Sequence, residues 1–269
     1  VVANRHGDVT GFKVPADEKH GELFLEPCFM LAESKQTKIQ NPGSVDIYRH
    51  EDGAYRMLVC NNHLHTVTSH TLKGAEDISV SGHRVLVRKK LIIPDGLTVS
   101  PDKQWIAVSN HVTGELIVYR NTLRVNRFSA PVAVLGGIVC PHGVRFSSDG
   151  RRLIVADAAS AYLHLFERDG EAWHSQSAPT KSVRLLSKSQ FEEGRTNPEE
   201  GGVKGLDMTR DGKLLVTTCE LDTLAFYTMD IFENADTPDI GNEIAGLSAD
   251  RDAVLTTNIY ATAKRHFWQ

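Results

Sequence analysis

The chain has 269 residues, with 30 Lys and Arg against 34 Asp and Glu, a formal net charge of -4, 41% hydrophobic and 24% charged residues. That balance excludes bulk disorder and offers no basic surface to a polyanion such as nucleic acid. No apolar run approaches the roughly 20 residues of a membrane span: the longest, Ala130 to Cys140, is broken by Pro131, Gly136 and Gly137.

Read in chain order, the sequence repeats one strand pair. Short β-branched runs ending in Asn, Asp or Thr occur at Val1 to Asn4, Met57 to Asn61, Ile106 to Asn110, Leu153 to Asp157, Leu214 to Thr218 and Val254 to Asn258. Before each of the later runs stands an alternating apolar strand and a polar turn. These are Ser44 to Gly53, Gly96 to Lys103, Gly143 to Gly150, Gly205 to Gly212 and Gly246 to Asp252. Asp-Gly and Pro-Asp between apolar runs are hairpin chemistry, because Gly tolerates positive φ and Asp bonds its own backbone. Third strands follow at Val9 to Val14, His65 to Thr71, Glu115 to Arg120, Tyr162 to Arg168 and Thr223 to Thr228. Val85 to Arg88 and Pro131 to Leu135 are candidate fourth strands.

Short strands, frequent turns and a period of 40 to 61 residues between the run ends predict an all-β fold. Six units of about four antiparallel strands predict a six-bladed β-propeller forming one domain over residues 1–269. The long spacings place surface insertions at Glu26 to Gln40 and Ser187 to Gly202, and Met229 to Ala235 reads as a helical turn. The opening VVAN reads as mid-strand, so the first blade is expected to lack its innermost strand or to be preceded by further residues. Cys28, Cys60, Cys140 and Cys219 lack CxxC spacing and read as free thiols.

The segments PDGLTVSPDKQWIAVSN (Pro94 to Asn110) and PHGVRFSSDGRRLIVAD (Pro141 to Asp157) resemble lactonase-like propellers of the SMP-30/gluconolactonase, NHL and YVTN-type families. The resemblance implies a funnel-shaped central channel, often with a divalent cation held by Asn, Asp or Glu. It also implies hydrolysis of lactones or small esters in many relatives, and ligand or partner binding alone in others.

Such blades would bring the starts of the first strands and the ends of the second strands to one mouth. The starts vary: Gly43, Asp95, His142, Lys204 and Ala245. His142 is a candidate general base, Asp95 its orienting partner, and Lys204 an oxyanion donor. The alternative is an Asp95–Lys204 ion pair plugging the channel. Asn61, Asn110, Asp157 and Asn258 offer the hard oxygens that calcium or magnesium prefers. The recurrence of Asn at strand ends equally fits a cap on the following turn. His6, His63 and His111 follow in the adjoining loops. Two functions are expected from these residues. One is a lactone or ester hydrolase, with or without a divalent cation. The other is a non-catalytic platform binding a small molecule or protein on the same face, favoured by the lack of the inner Glu that gluconolactonase-type members carry.

Overall fold

A computed structural model describes residues 1–15, 24–74, 77–219, 221, 224–234 and 247. Its strands are set by one turn design used three times. Ser100, Ser147 and Thr209 each donate their hydroxyl to an Asp two residues on, at 2.5, 2.5 and 2.7 Å. Each hydroxyl also accepts the amide five residues ahead, that of Trp105, Arg152 or Leu214. The turn then needs a left-handed residue, supplied by Gly150 (φ 69°), Gly212 (φ 71°) and, against the usual preference, Lys103 (φ 61°).

These turns join strands into five antiparallel sheets. The first is β1 (Val2–Ala3), β2 (Val9–Phe12) and β3 (Pro27–Leu31). The second is β4 (Pro42–Arg49), β5 (Tyr55–Asn61), β6 (Thr66–Lys73) and β7 (Ser79–Val87). The third is β8 (Pro94–Val99), β9 (Trp105–Asn110), β10 (Glu115–Arg120) and β11 (Ala133–Leu135). The fourth is β12 (Pro141–Phe146), β13 (Arg152–Asp157), β14 (Tyr162–Glu167) and β15 (Lys181–Arg184). The fifth is β16 (Val203–Met208), β17 (Leu214–Cys219) and β18 (Ala225–Thr228).

Among the described residues the fold is thus an all-β propeller of five blades with three or four strands each, which corrects the expected six. Of the expected sixth unit, Gly246 to Asn258, only Leu247 is described, and it belongs to none of the five sheets. The stretch from Glu26 to Gln40 is not a plain insertion, since β3 within it completes the first sheet through Leu31 opposite Val9. Ser187 to Gly202 does hold an added element, α1 (Lys188–Gly194), whose capping box pairs Ser187 with Gln190. The helical turn after Met229 is α2 (Ile231–Asn234). Among the described residues no helix is long and apolar enough to cross a membrane.

The chain falls into two compact units, Val1–Val112 with Ile117–Ala133, and Thr113–Leu116 with Val134–Gln269. In the first, Val9, Leu31, Ile39, Met57, Val59 and Leu72 form a buried cluster between sheets. In the second, Ile154, Leu163, Leu165, Val203, Leu206, Leu215 and Phe232 do the same. Each such side chain contributes about 1.5–3 kcal/mol by leaving water, so the alternating strand faces hold the sheets together. No disulfide joins Cys28, Cys60, Cys140 or Cys219.

Candidate functional site

Four first strands share an irregularity at their second residue. The pairing register shifts between Pro42 and Ser44, Pro94 and Leu97, Pro141 and Val144, and Val203 and Gly205. Gly43, Asp95, His142 and Lys204 therefore all sit in bulges, which free a residue from the ladder and re-aim its side chain. The amides displaced by two of these bulges are recovered by hydroxyls: Gly96 N donates to Ser109 Oγ at 2.5 Å and Gly205 N to Thr218 Oγ1 at 3.0 Å. A proline opens three of the four strands, where no ladder amide is lost.

In the first unit the bulge at Asp95 builds a polar cluster. The Asp95 carboxylate is 3% exposed and accepts from Arg5 Nη2 at 2.9 Å and from Asn62 Nδ2 at 3.2 Å. Arg5 remains 54% exposed, so its guanidinium links the buried acid to solvent. The Arg5 loop is fixed by Asn41, whose Nδ2 donates to Arg5 O at 3.1 Å and whose carbonyl accepts the Asn62 amide at 3.2 Å. Asn62 itself is buried, and its Oδ1 has no hydrogen-bond partner. Exchanging the amide's N and O would set oxygen against the carboxylate, so the observed orientation is the favourable one. An unmet buried carbonyl costs about 1–3 kcal/mol, a cost that calls for a functional reason.

That oxygen faces Gly43. A Cβ at residue 43 would lie 2.6 Å from Asp95 Oδ1 and closer still to Asn62 Oδ1. Gly43 does not need a left-handed backbone; its missing side chain lets the two oxygens approach the strand closely.

In the second unit the bulge positions behave differently. Lys204 pairs with Glu200, four residues before it. Within their own units Asp95 thus pairs with Arg5, and Lys204 with Glu200. His142, half-buried, follows Pro141 on β12, and β12 packs against β16, which carries Lys204.

The second-strand ends act as clasps. Asn61 Oδ1 accepts the Gln40 amide at 2.9 Å, and Asn110 Oδ1 accepts that of Ile92 at 2.6 Å. Asp157 accepts Val139 N at 3.0 Å, Cys140 N at 2.8 Å and Ala159 N at 3.2 Å. Each side chain ties down the segment that leads into its own sheet, and Asp157, through Ala159, also caps the turn that follows. Asn258 lies outside the described residues. Among those residues no three His, Cys, Asp or Glu side chains form a metal-holding group.

Two buried histidine networks escaped the sequence reading. Asp157 Oδ2 meets His164 Nε2 at 3.2 Å, and His164 Nδ1 meets Ser182 Oγ at 2.8 Å, with all three side chains buried. The order is that of a hydrolytic triad, but the serine is enclosed within its sheet, so the relay braces β13, β14 and β15. Burial pushes the Asp157 carboxyl up; the His164 hydrogen bond and charge and the two amides outweigh it and leave the group below its ordinary value. On the second sheet His70 Nδ1 meets His83 Nδ1 at 2.9 Å and His70 Nε2 meets Thr68 Oγ1 at 2.9 Å. Burial, then the neighbouring His83 and Lys38, push His70 down to about 3. Of the loop histidines, His6 donates its amide to Asn4 Oδ1 at 3.4 Å. The unpredicted His65 accepts the Ile93 amide at 2.9 Å. Period-2 patterning could have flagged His70 and His164, since both fall on inward-facing strand positions.

No family model matches the chain, and no curated protein is similar to it. Among solved structures, a putative 6-phosphogluconolactonase from Bacteroides uniformis is similar at 12% identity and TM-score 0.50, over 84% of this chain and 62% of that one. One from Bacteroides fragilis is similar at 12% identity and TM-score 0.50, over 82% and 60%. Hydrazine synthase from Kuenenia stuttgartiensis matches at 18% identity and TM-score 0.46, over 70% and 46%. The chain thus spans less than two thirds of each of these proteins, and its likeness to the Bacteroides structures is a likeness of fold.

Proposed function

We propose that this protein hydrolyses a small lactone or ester at Asp95. The observation that carries the reading is the buried Asp95 carboxylate, paired with the half-exposed Arg5 beside the unpartnered Asn62 Oδ1. A water donating a hydrogen to the carboxylate has its lone pair turned outward, toward a carbonyl carbon. Arg5, paired with Asp95 yet half in solvent, is placed to hold the carbonyl oxygen.

The steps balance with these groups alone. Water oxygen bonds to the acyl carbon as Asp95 takes its proton, and the carbonyl electrons move to an oxyanion facing Arg5. The tetrahedral intermediate collapses, the acyl C–O bond breaks, and Asp95 returns the proton to the leaving alkoxide. A lactone gives a hydroxy acid whose carboxylate Arg5 also accommodates. The Asn61, Asn110 and Asp157 oxygens each accept a backbone amide, and the steps above call on none of them. The Bacteroides structures share the fold and suggest the reaction class.

The test is turnover of a panel of γ- and δ-lactones and phenyl esters, followed by acid release. Asp95→Asn should lower kcat/KM by about 10²–10⁴, and Arg5→Gln by about 10²–10³. An unreactive wild-type protein, or an Asp95→Asn variant of full activity, would sink the proposal. Loss with His142→Ala but not with Asp95→Asn would move the base to the second unit.

A further inference from the structure

A second cleft lies at the opposite end of the same sheets in the first unit. It encloses about 780 Å³ beside the turns after β4 and β8, and Arg56, Arg84, Lys103, Thr71, Gln104 and Asn121 are among its lining residues. From Asp95 to Val99 the chain runs along β8 before turning at Asp102, so the two sites are separated by roughly 13 Å of strand and the turn. The volume is that of a small-molecule site, within the usual range of about 300–1,000 Å³.

Arg56 supplies the chemical signal. Its Nη2 donates to Asp52 Oδ2 at 2.6 Å, which orients the guanidinium and holds the Asp52 carboxyl below its ordinary value. Its Nη1 is buried and has no partner. A buried guanidinium N–H left unmet is costly, and the accessible part of the Arg56 side chain lines the cleft. Arg84 is held nearby by its Nη1 donating to Val125 O at 3.0 Å. Lys103 is exposed on the β8–β9 turn. Of the two acids lining the cleft, Asp102 is turned into its own turn through Ser100 and the Gln104 amide, and Glu51 is exposed. Three cations around one concavity suit a dianion better than a single carboxylate, and hydroxyl and amide side chains suit a hydroxylated body.

We propose that this cleft binds a small polyol carrying a phosphate ester, its phosphate oxygens meeting the side chains of Arg56, Arg84 and Lys103. The proposal stands apart from the Asp95 chemistry and does not depend on it.

Calorimetric titration of the whole chain with glucose 6-phosphate, glucose and inorganic phosphate tests it. Saturable binding of glucose 6-phosphate is expected, at least about tenfold tighter than either other probe and weakening as salt rises. Arg56→Gln should weaken it by about tenfold or more, and Lys103→Gln by a few fold. Lys103→Gln alters only an exposed turn side chain, so it remains informative if Arg56→Gln fails to fold. No saturation in the millimolar range, equal binding of glucose or of inorganic phosphate, or full affinity in a folded Arg56→Gln or Lys103→Gln variant would overturn the proposal.

Discussion

Asn62 donates its side-chain nitrogen to Asp95 at 3.2 Å while its own buried carbonyl oxygen meets no donor. The two residues therefore present a pair of acceptors to the backbone of Gly43, too close to leave room for a Cβ. Gly43→Ala should place a methyl group against both oxygens. Overpacking of this kind costs about 1–3 kcal/mol, and hydrolysis should fall by an order of magnitude or more. Kinetics and thermal melting of the variant check both; unchanged turnover would mean that water does not act beside Asp95.

The His70–His83 contact predicts acid sensitivity. His70 is pushed down to about 3 in the folded chain from an ordinary 6.5. The unfolded chain therefore takes up the proton first, and stability falls as pH drops from 6.5 toward 3. The slope from this group is about 1.4 kcal/mol per pH unit within that window. Urea unfolding at pH 5 and pH 7 should show the loss, and His70→Gln should reduce it. An equal pH dependence in the variant would assign it elsewhere.

The Asp157–His164–Ser182 relay should matter for stability more than for turnover. Asp157→Asn breaks a buried network and should cost about 3 kcal/mol, while Ser182→Ala should cost about 1 kcal/mol. Because the Asp157 carboxyl is held below its ordinary value, its contribution is present above about pH 4 and fades as pH falls through the lowered value. Equilibrium unfolding of the variants checks the order. A Ser182→Ala variant that folds normally and loses hydrolysis would instead make the relay catalytic.

The clasps at Asn61 and Asn110 should act separately. Each Asn→Ala change removes the acceptor of one segment amide and should cost about 1–2 kcal/mol, with the double variant additive. Hydrogen exchange should accelerate at Gln40 in the first variant and at Ile92 in the second, and at neither in the other.

Hairpins were legible because their information is local. Alternating apolar residues and the Ser/Thr-x-Asp turns place β8 with β9, β12 with β13 and β16 with β17 within a few residues. The bulge positions were also visible, since Gly43, Asp95, His142 and Lys204 break the repeat at one place. Partner choice was not visible. Asp95 takes Arg5, ninety residues away in sequence, because a loop fixed by Asn41 delivers it. Lys204 takes Glu200 from the segment just before its strand. The blade count differs because the sixth repeat, apart from Leu247, lies outside the described residues and forms none of the five sheets.

The clasps carry a consequence for how such a chain can change over time. Asn61, Asn110 and Asp157 each close their sheet with a bond spanning only 17 to 21 residues, so the donors leading into a sheet are met from within it. A unit of this kind can be duplicated, or drift at its first-strand start, without stranding a buried amide in its neighbour. That independence leaves one position per blade free to vary chemically, and this chain has put glycine, aspartate, histidine and lysine there in turn.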